Sequence, residues 1–165
     1  MTHIKHAIEK YGAKRIGHGY QVVTDPDLML EMREKNIHFE VCPTSSVETG
    51  GWLYANDHEK NWSTHPASLM LKHGMNVGFN SDDPSVFNTS LTWQLRIAVG
   101  KMGLSKLAIL RSFKNSLNAA FLPEEQKYDL QRIMDDFIAD TEKGTVIKTK
   151  PFYERVPSLP LNVEN

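Results

Sequence analysis

The chain has 165 residues, 40% apolar and 24% charged, which suits one ordinary domain with a buried core. A formal charge of −1, the lack of any apolar run of membrane-spanning length and the polar start Met1-Thr2-His3-Ile4-Lys5-His6 argue against a nucleic-acid partner, a membrane partner and a secretory leader. The single cysteine, Cys42, excludes an internal disulfide and fits a reducing compartment, so the cytoplasm is the expected location.

In chain order, Ile4, Ala7, Ile8 and Tyr11 are spaced three and four apart, which predicts an amphipathic helix over residues 3–13, ending at Gly12. Arg15-Ile16-Gly17-His18-Gly19 reads as a short strand running into a tight loop. Asp25 as N-cap and Pro26 at the first helical position start a second helix, with Leu28, Met29 and Met32 on its buried stripe and Asn36 closing it. Ile37 to Cys42 alternates as a strand and stops at Pro43. Residues 44–64 read as a long polar loop, and loops of that length in compact domains are usually functional or disordered.

Pro66 opens a helix that runs to His73 and stops at Gly74. A strand over 75–79 leads into Asn80-Ser81-Asp82-Asp83-Pro84. Three helices are expected after it, over about 90–102, 105–120 and 123–142, the second with Ser105 as N-cap. Residues 144–165 read as an extended or disordered tail behind a folded part covering 1–143.

Strand and helix alternate three times, which is the pattern of a parallel α/β sheet, and ligands of such sheets sit at the C-terminal strand ends. Those ends carry Gly17-His18-Gly19, Cys42-Pro43-Thr44-Ser45-Ser46 and Ser81-Asp82-Asp83. Adjacent carboxylates at the mouth of a buried strand repel, and each needs donors, a cation or a shifted pKa. A metal on one carboxylate resolves the conflict and leaves the other for a substrate; the plainer alternative is an N-cap before Pro84. His18, between two glycines, suits a base, a proton shuttle or a metal ligand, or else a turn histidine bonded to backbone. Thr44, Ser45 and Ser46 read as turn and capping hydroxyls, and Cys42 as a buried, inert thiol. His38, His58, His65 and His73 stand away from predicted strand ends and read as structural, while Trp52, Tyr54 and Trp62 flank the loop and read as packing.

Three segments taken together closely resemble the adenosine deaminase family. They are Arg15-Ile16-Gly17-His18-Gly19-Tyr20, Phe39 to Ser46 with Thr49-Gly50, and Asn80-Ser81-Asp82-Asp83-Pro84, in the family's order and separation; Phe121-Leu122-Pro123-Glu124 adds a fourth match. The resemblance covers about residues 1–140. It implies the C-terminal portion of an eight-stranded (β/α)8 TIM-type barrel followed by helices, with a catalytic Zn2+. By position, Asp82 matches the aspartate zinc ligand, and His18 matches the histidine that orients and helps deprotonate the zinc-bound water. Asp83 matches the aspartate that positions the hydroxide and bonds the purine ring. The implied reaction converts adenosine or 2′-deoxyadenosine to inosine or its deoxy counterpart and ammonia.

The resemblance also shows what these residues lack. The family's His-x-His pair, its third histidine ligand and its acid–base glutamate have no counterpart here, and Thr2-His3 and Lys5-His6 do not replace them. About three of the eight strands are represented, so the expected partner is the missing N-terminal segment of the barrel, and the chain alone is expected to be inactive. Two further readings stand: a non-catalytic fragment that folds against a partner, and a deaminase of adenine or AMP.

Overall fold

A computed structural model of the chain describes residues 2–52 and 62–142. In order these form α1 (Thr2–Glu9), β1 (Arg15–Gly17), α2 (Pro26–Glu34), β2 (His38–Val41), α3 (Pro43–Glu48), α4 (Pro66–Lys72), β3 (Asn76–Phe79), α5 (Leu91–Gly100), α6 (Lys106–Asn118) and α7 (Glu124–Glu142), with one-turn 3-10 helices at Tyr20–Thr24 and Trp62–Thr64. The chain divides into two compact units, Met1–Pro123 and Glu124–Asn165; α7 is the described part of the second.

Local chemistry sets the helix starts. The side chains of Asp25, Ser90 and Ser105 accept from the amides of Leu28, Trp93 and Ala108, satisfying donors that a first turn leaves free. Asn36 follows α2 in the left-handed region, at φ 51°. Asparagine tolerates that geometry better than most residues, and it turns the chain into β2.

The three strands form one parallel sheet in the order β1-β2-β3, with Ile16, Phe39 and Val77 in register. Side chains alternate across it. Ile16, Phe39, Val41, Val77 and Phe79 form one core with Leu28 and Met32 of α2 and Ala67 and Met70 of α4. The other face is polar: Arg15 and Glu40 are ion-paired there, and His38 bonds Asn76 through Nδ1 at 2.6 Å. Burial lowers the pKa of His38, so it stays neutral beside that amide.

Helix α6 meets this polar face at Gly78. A Cβ there would overlap Ser116 Oγ and lie 2.9 Å from His38 Cε1. α6 also serves the edge of β3 that faces away from β2. Asn80 donates to Val41 of β2, so the intervening odd residues of β3 point outward, and Asn115 Nδ2 donates to the Val77 carbonyl at 3.0 Å. An open strand edge invites pairing with another chain, and this amide occupies part of it.

Two expectations need correcting. The first helix ends at Glu9, earlier than its apolar spacing suggests, because Gly12 at φ 66° turns the chain toward β1. The stretch 44–64 is not all loop: Pro43–Glu48 is helical, nucleated by Pro43 at its first turn. Residues 53–61, with Tyr54 and His58, and the predicted tail at 144–165 lie outside the described residues. No helix among the described residues is long and apolar enough to cross a membrane.

Candidate active site

The C-terminal ends of the three strands converge. His18 follows β1, Cys42 follows β2 and Asp82 follows β3 by three residues. His18 Nε2 lies 3.5 Å from Asp82 Oδ2. The Cys42 sulfur joins them, and the three donor atoms lie within 4.8 Å of one another. His18 and Asp82 both sit in the left-handed region, at φ 57° and 59°. Non-glycine residues pay roughly 1–2 kcal/mol for that geometry, which here aims two side chains from separate strands at one point. Gly19 follows His18 at φ 62°, and a Cβ on it would lie 2.8 Å from the Phe39 ring, so glycine is required on both grounds.

Asp83 is exposed beside Asp82, and its carbonyl takes the amides of Val86 and Phe87. Its carboxylate is not one of the three clustered donors. The structure therefore brings His18 and Asp82 together and leaves the Asp83 carboxylate outside the cluster. Cys42 is buried, as expected, and its sulfur belongs to the cluster. The sulfur also lies 3.9 Å from the Glu40 carbonyl, toward which it donates. Burial, then the Asp82 and Glu40 carboxylates, push the thiol up to about 12.

A buried polar network supports the cluster. Tyr20 accepts from the Cys42 amide through its hydroxyl at 2.8 Å, and its ring packs on His18 at 5.8 Å. Burial raises the Tyr20 pKa, so it stays a neutral phenol. The other side of Tyr20 meets His65 edge-on at 5.2 Å, and His65 packs on Trp52 at 5.4 Å. His65 Nδ1 accepts from Ala67 N as the cap of α4, which leaves Nε2 to donate to Ser46 Oγ at 2.8 Å. Ser46 in turn donates to the carbonyls of Cys42 and Pro43. Burial lowers His65 to about 4. His65 is structural, as its place before Pro66 suggests, and Trp52 and Trp62 pack against the core.

No motif or spacing marks Gln94 of α5. It is fully buried and accepts from Thr44 N at 3.0 Å, while its amide nitrogen reaches Thr89 Oγ1 at 2.6 Å. It thereby ties the segment after Asp82-Asp83 to the start of α3.

The fold is part of a β/α barrel, with polar donors gathered at the C-terminal ends of its strands. The adenosine deaminase family profile matches residues 1–137, and the chain belongs to that family. It is 39% identical over 127 residues to adenosine deaminase from Xenopus tropicalis, a match covering 77% of this chain and 34% of that protein. An adenine deaminase from Rhodopseudomonas palustris is 32% identical over 138 residues, covering 84% of this chain and 38% of that one. Among solved structures, an amidohydrolase from Burkhoderia ambifaria with bound zinc shares the fold at a TM-score of 0.73 and 22% identity, over 85% of this chain and 38% of that one. The chain thus spans about a third of the length of the curated relatives it matches.

The donor set suits the zinc that the family implies. Imidazole nitrogen, carboxylate oxygen and sulfur are all zinc donors. Two ligands on one tetrahedral zinc stand about 3.4 Å apart, given metal–ligand bonds near 2.1 Å. The His18–Asp82 separation matches that spacing. Three donors are one fewer than a closed tetrahedral site takes.

Proposed function

We propose that this chain supplies one wall of the active site of a zinc-dependent deaminase that hydrolyses the 6-amino group of adenosine or 2′-deoxyadenosine, releasing ammonia and the inosine product. The observation that carries this reading is the meeting of His18 and Asp82 at adjoining strand ends of a chain in the adenosine deaminase family. Asp82 is the residue that would hold zinc. Zinc, when bound, supplies the Lewis acidity that makes water a nucleophile near neutral pH.

The chain's own side chains then have distinct tasks. His18 takes the proton from the attacking water, and its partly exposed ring is oriented by Tyr20. Gly17 and Gly19 keep side-chain bulk away, so a planar base can approach His18. Asp83 accepts a hydrogen bond from the purine ring and fixes which face is attacked. The proton for the ring nitrogen comes from the family's glutamate, which this chain does not supply. The partner this reading requires is the N-terminal segment of the barrel, contributed in the same polypeptide or as a separate piece.

Adenine is the second substrate to consider, because an adenine deaminase stands among the relatives above 30% identity. The two are separated by joining the N-terminal segment of the Xenopus tropicalis enzyme ahead of residue 1 and assaying adenosine, adenine and AMP by ultraviolet absorbance. Adenosine turnover at least tenfold faster than the other two supports the proposal. Preference for adenine or AMP transfers the same chemistry to that substrate and refutes the nucleoside assignment.

A further inference from the structure

We propose that Gln94 is a positioning residue of the active-site wall: it locks the segment 81–90, which carries Asp83, onto α3 and so sets where Asp83 meets the purine ring. The inference rests on the deaminase reading and deepens it. Helix α5 buries Ile97 and Ala98 on the same side as Gln94, so an amide placed there has to be satisfied by hydrogen bonds. Its oxygen accepts from Thr44 N at 3.0 Å, and its nitrogen donates to Thr44 Oγ1 at 2.8 Å and to Thr89 Oγ1 at 2.6 Å. The Thr44 amide can only donate, so the oxygen has to face α3 and the nitrogen is left for Thr89. One side chain thus holds two segments that are remote from each other in sequence.

Two observations carry the role beyond packing. Cys42, at the N-cap position of α3, makes no side-chain cap bond, so Gln94 supplies from α5 an acceptor for that first turn. It therefore grips the chain just past the C-terminal end of β2, where the site lies. The second observation concerns the segment itself. Residues 82–86 are all exposed, Val86 at 74%, so apolar burial does little to hold them. The segment is held at its ends instead: Asn80 N donates to the Val41 carbonyl at 2.8 Å, and Thr89 is bound by Gln94. Between these points the Asp83 carbonyl takes the amides of Val86 and Phe87, and the Pro84 carbonyl takes the amide of Thr89. A displacement of Thr89 is passed back to Asp83 through these bonds. Asp82 stands nearer the end fixed by β3 and pairs with His18, so releasing Gln94 shifts Asp83 and spares Asp82.

Two variants test it. Gln94→Met removes both arms of the amide, and Thr89→Val removes only the arm to the segment, leaving the cap on α3; it decides the matter alone if Gln94→Met does not fold. Amide hydrogen exchange of the 165-residue chain reads the tether directly. In both variants the amides of Val86, Phe87 and Thr89 should exchange about tenfold faster, with those of β1, β2 and β3 unchanged. Thr89→Ser keeps the hydroxyl and should exchange like the native chain. In the joined barrel both variants should raise the KM for adenosine about tenfold and leave kcat within about threefold, because a contact to bound substrate is loosened while Asp82 and His18 stay in place. A merely destabilised enzyme would lose kcat at constant KM. Unchanged exchange at 86–89 in Thr89→Val overturns the proposal. An unchanged KM in an active joined barrel overturns it too and leaves the deaminase reading intact. A native joined barrel that turns over no purine refutes the deaminase reading and the positioning role with it.

Discussion

His18 and Asp82 come within 3.5 Å of each other although β2 separates the strands that carry them. Neither residue is locally comfortable, since both adopt left-handed backbone. Replacing Asp82 by glycine should therefore relieve strain and raise stability by up to about 1 kcal/mol, whereas Asp82→Ala should lower it slightly. In the joined barrel both should cost turnover by at least about a thousandfold, the scale of losing a ligand or a catalytic carboxylate. Urea unfolding and an adenosine assay on the same samples check the two halves together. A stabilised and still active Asp82→Gly variant would remove Asp82 from the site.

Acid should weaken the fold through His65. Its native pKa of about 4 lies below the usual histidine value, so the unfolded chain binds the proton first. Stability from the neutral ring is fully present above about pH 6.5 and is lost as pH falls toward 4, by about 3 kcal/mol in all. His38 is lowered as well and adds in the same direction. Denaturant midpoints between pH 7 and 4.5 should fall steeply in the native chain. His65→Gln should start lower, having lost the Ser46 and Ala67 bonds, and should fall less steeply. Equal slopes would mean that His65 is charged in the fold.

Close packing of α6 on the sheet depends on Gly78. A methyl group there overlaps Ser116 Oγ and crowds the His38 ring, which is buried and bonded to Asn76. Gly78→Ala should destabilise the first unit by roughly 1–3 kcal/mol. Ser116→Gly in the same chain should recover much of the loss, since it removes the overlapping oxygen. Thermal unfolding of the two variants and their combination gives the coupling directly; additive losses would place the strain elsewhere.

The Cys42 thiol should react slowly. It is buried, and its pKa is raised to about 12, so little thiolate exists near neutral pH. A disulfide reagent at pH 8 should label the native chain at least a hundredfold more slowly than the urea-unfolded chain. Labelling at the unfolded rate would show that the strand ends open freely.

Much of this was legible in the sequence because the punctuation is local. Glycine, proline and capping residues mark where β1, β2, β3 and most helices begin and end, and strand–helix alternation implies the parallel order. His18 and Asp82 could be placed together because each stands at such a boundary. Helix α3 was hidden because Pro-Thr-Ser-Ser-Val-Glu has the composition of a loop. Its Thr44 and Ser46 are held by Gln94 and His65, partners remote in sequence. The membership of Cys42 in the cluster was hidden for a related reason. Its sulfur is brought to His18 and Asp82 by the meeting of three strand ends in space, and no spacing in the sequence encodes that.

The most direct test asks whether the wall becomes a site when the rest of the barrel is supplied. The chain of 165 residues is mixed, with zinc, with a separately made N-terminal segment of the Xenopus tropicalis adenosine deaminase, and conversion of adenosine is followed by ultraviolet absorbance. The chain alone should hold zinc weakly and show no turnover, because it offers Asp82 as zinc ligand without the family's histidines and no acid for the ring nitrogen. The mixture should deaminate adenosine, and Asp82→Ala or His18→Ala in this chain should abolish the activity. Turnover by the unmixed chain that Asp82→Ala removes, or turnover by the mixture that survives both substitutions, would contradict the account.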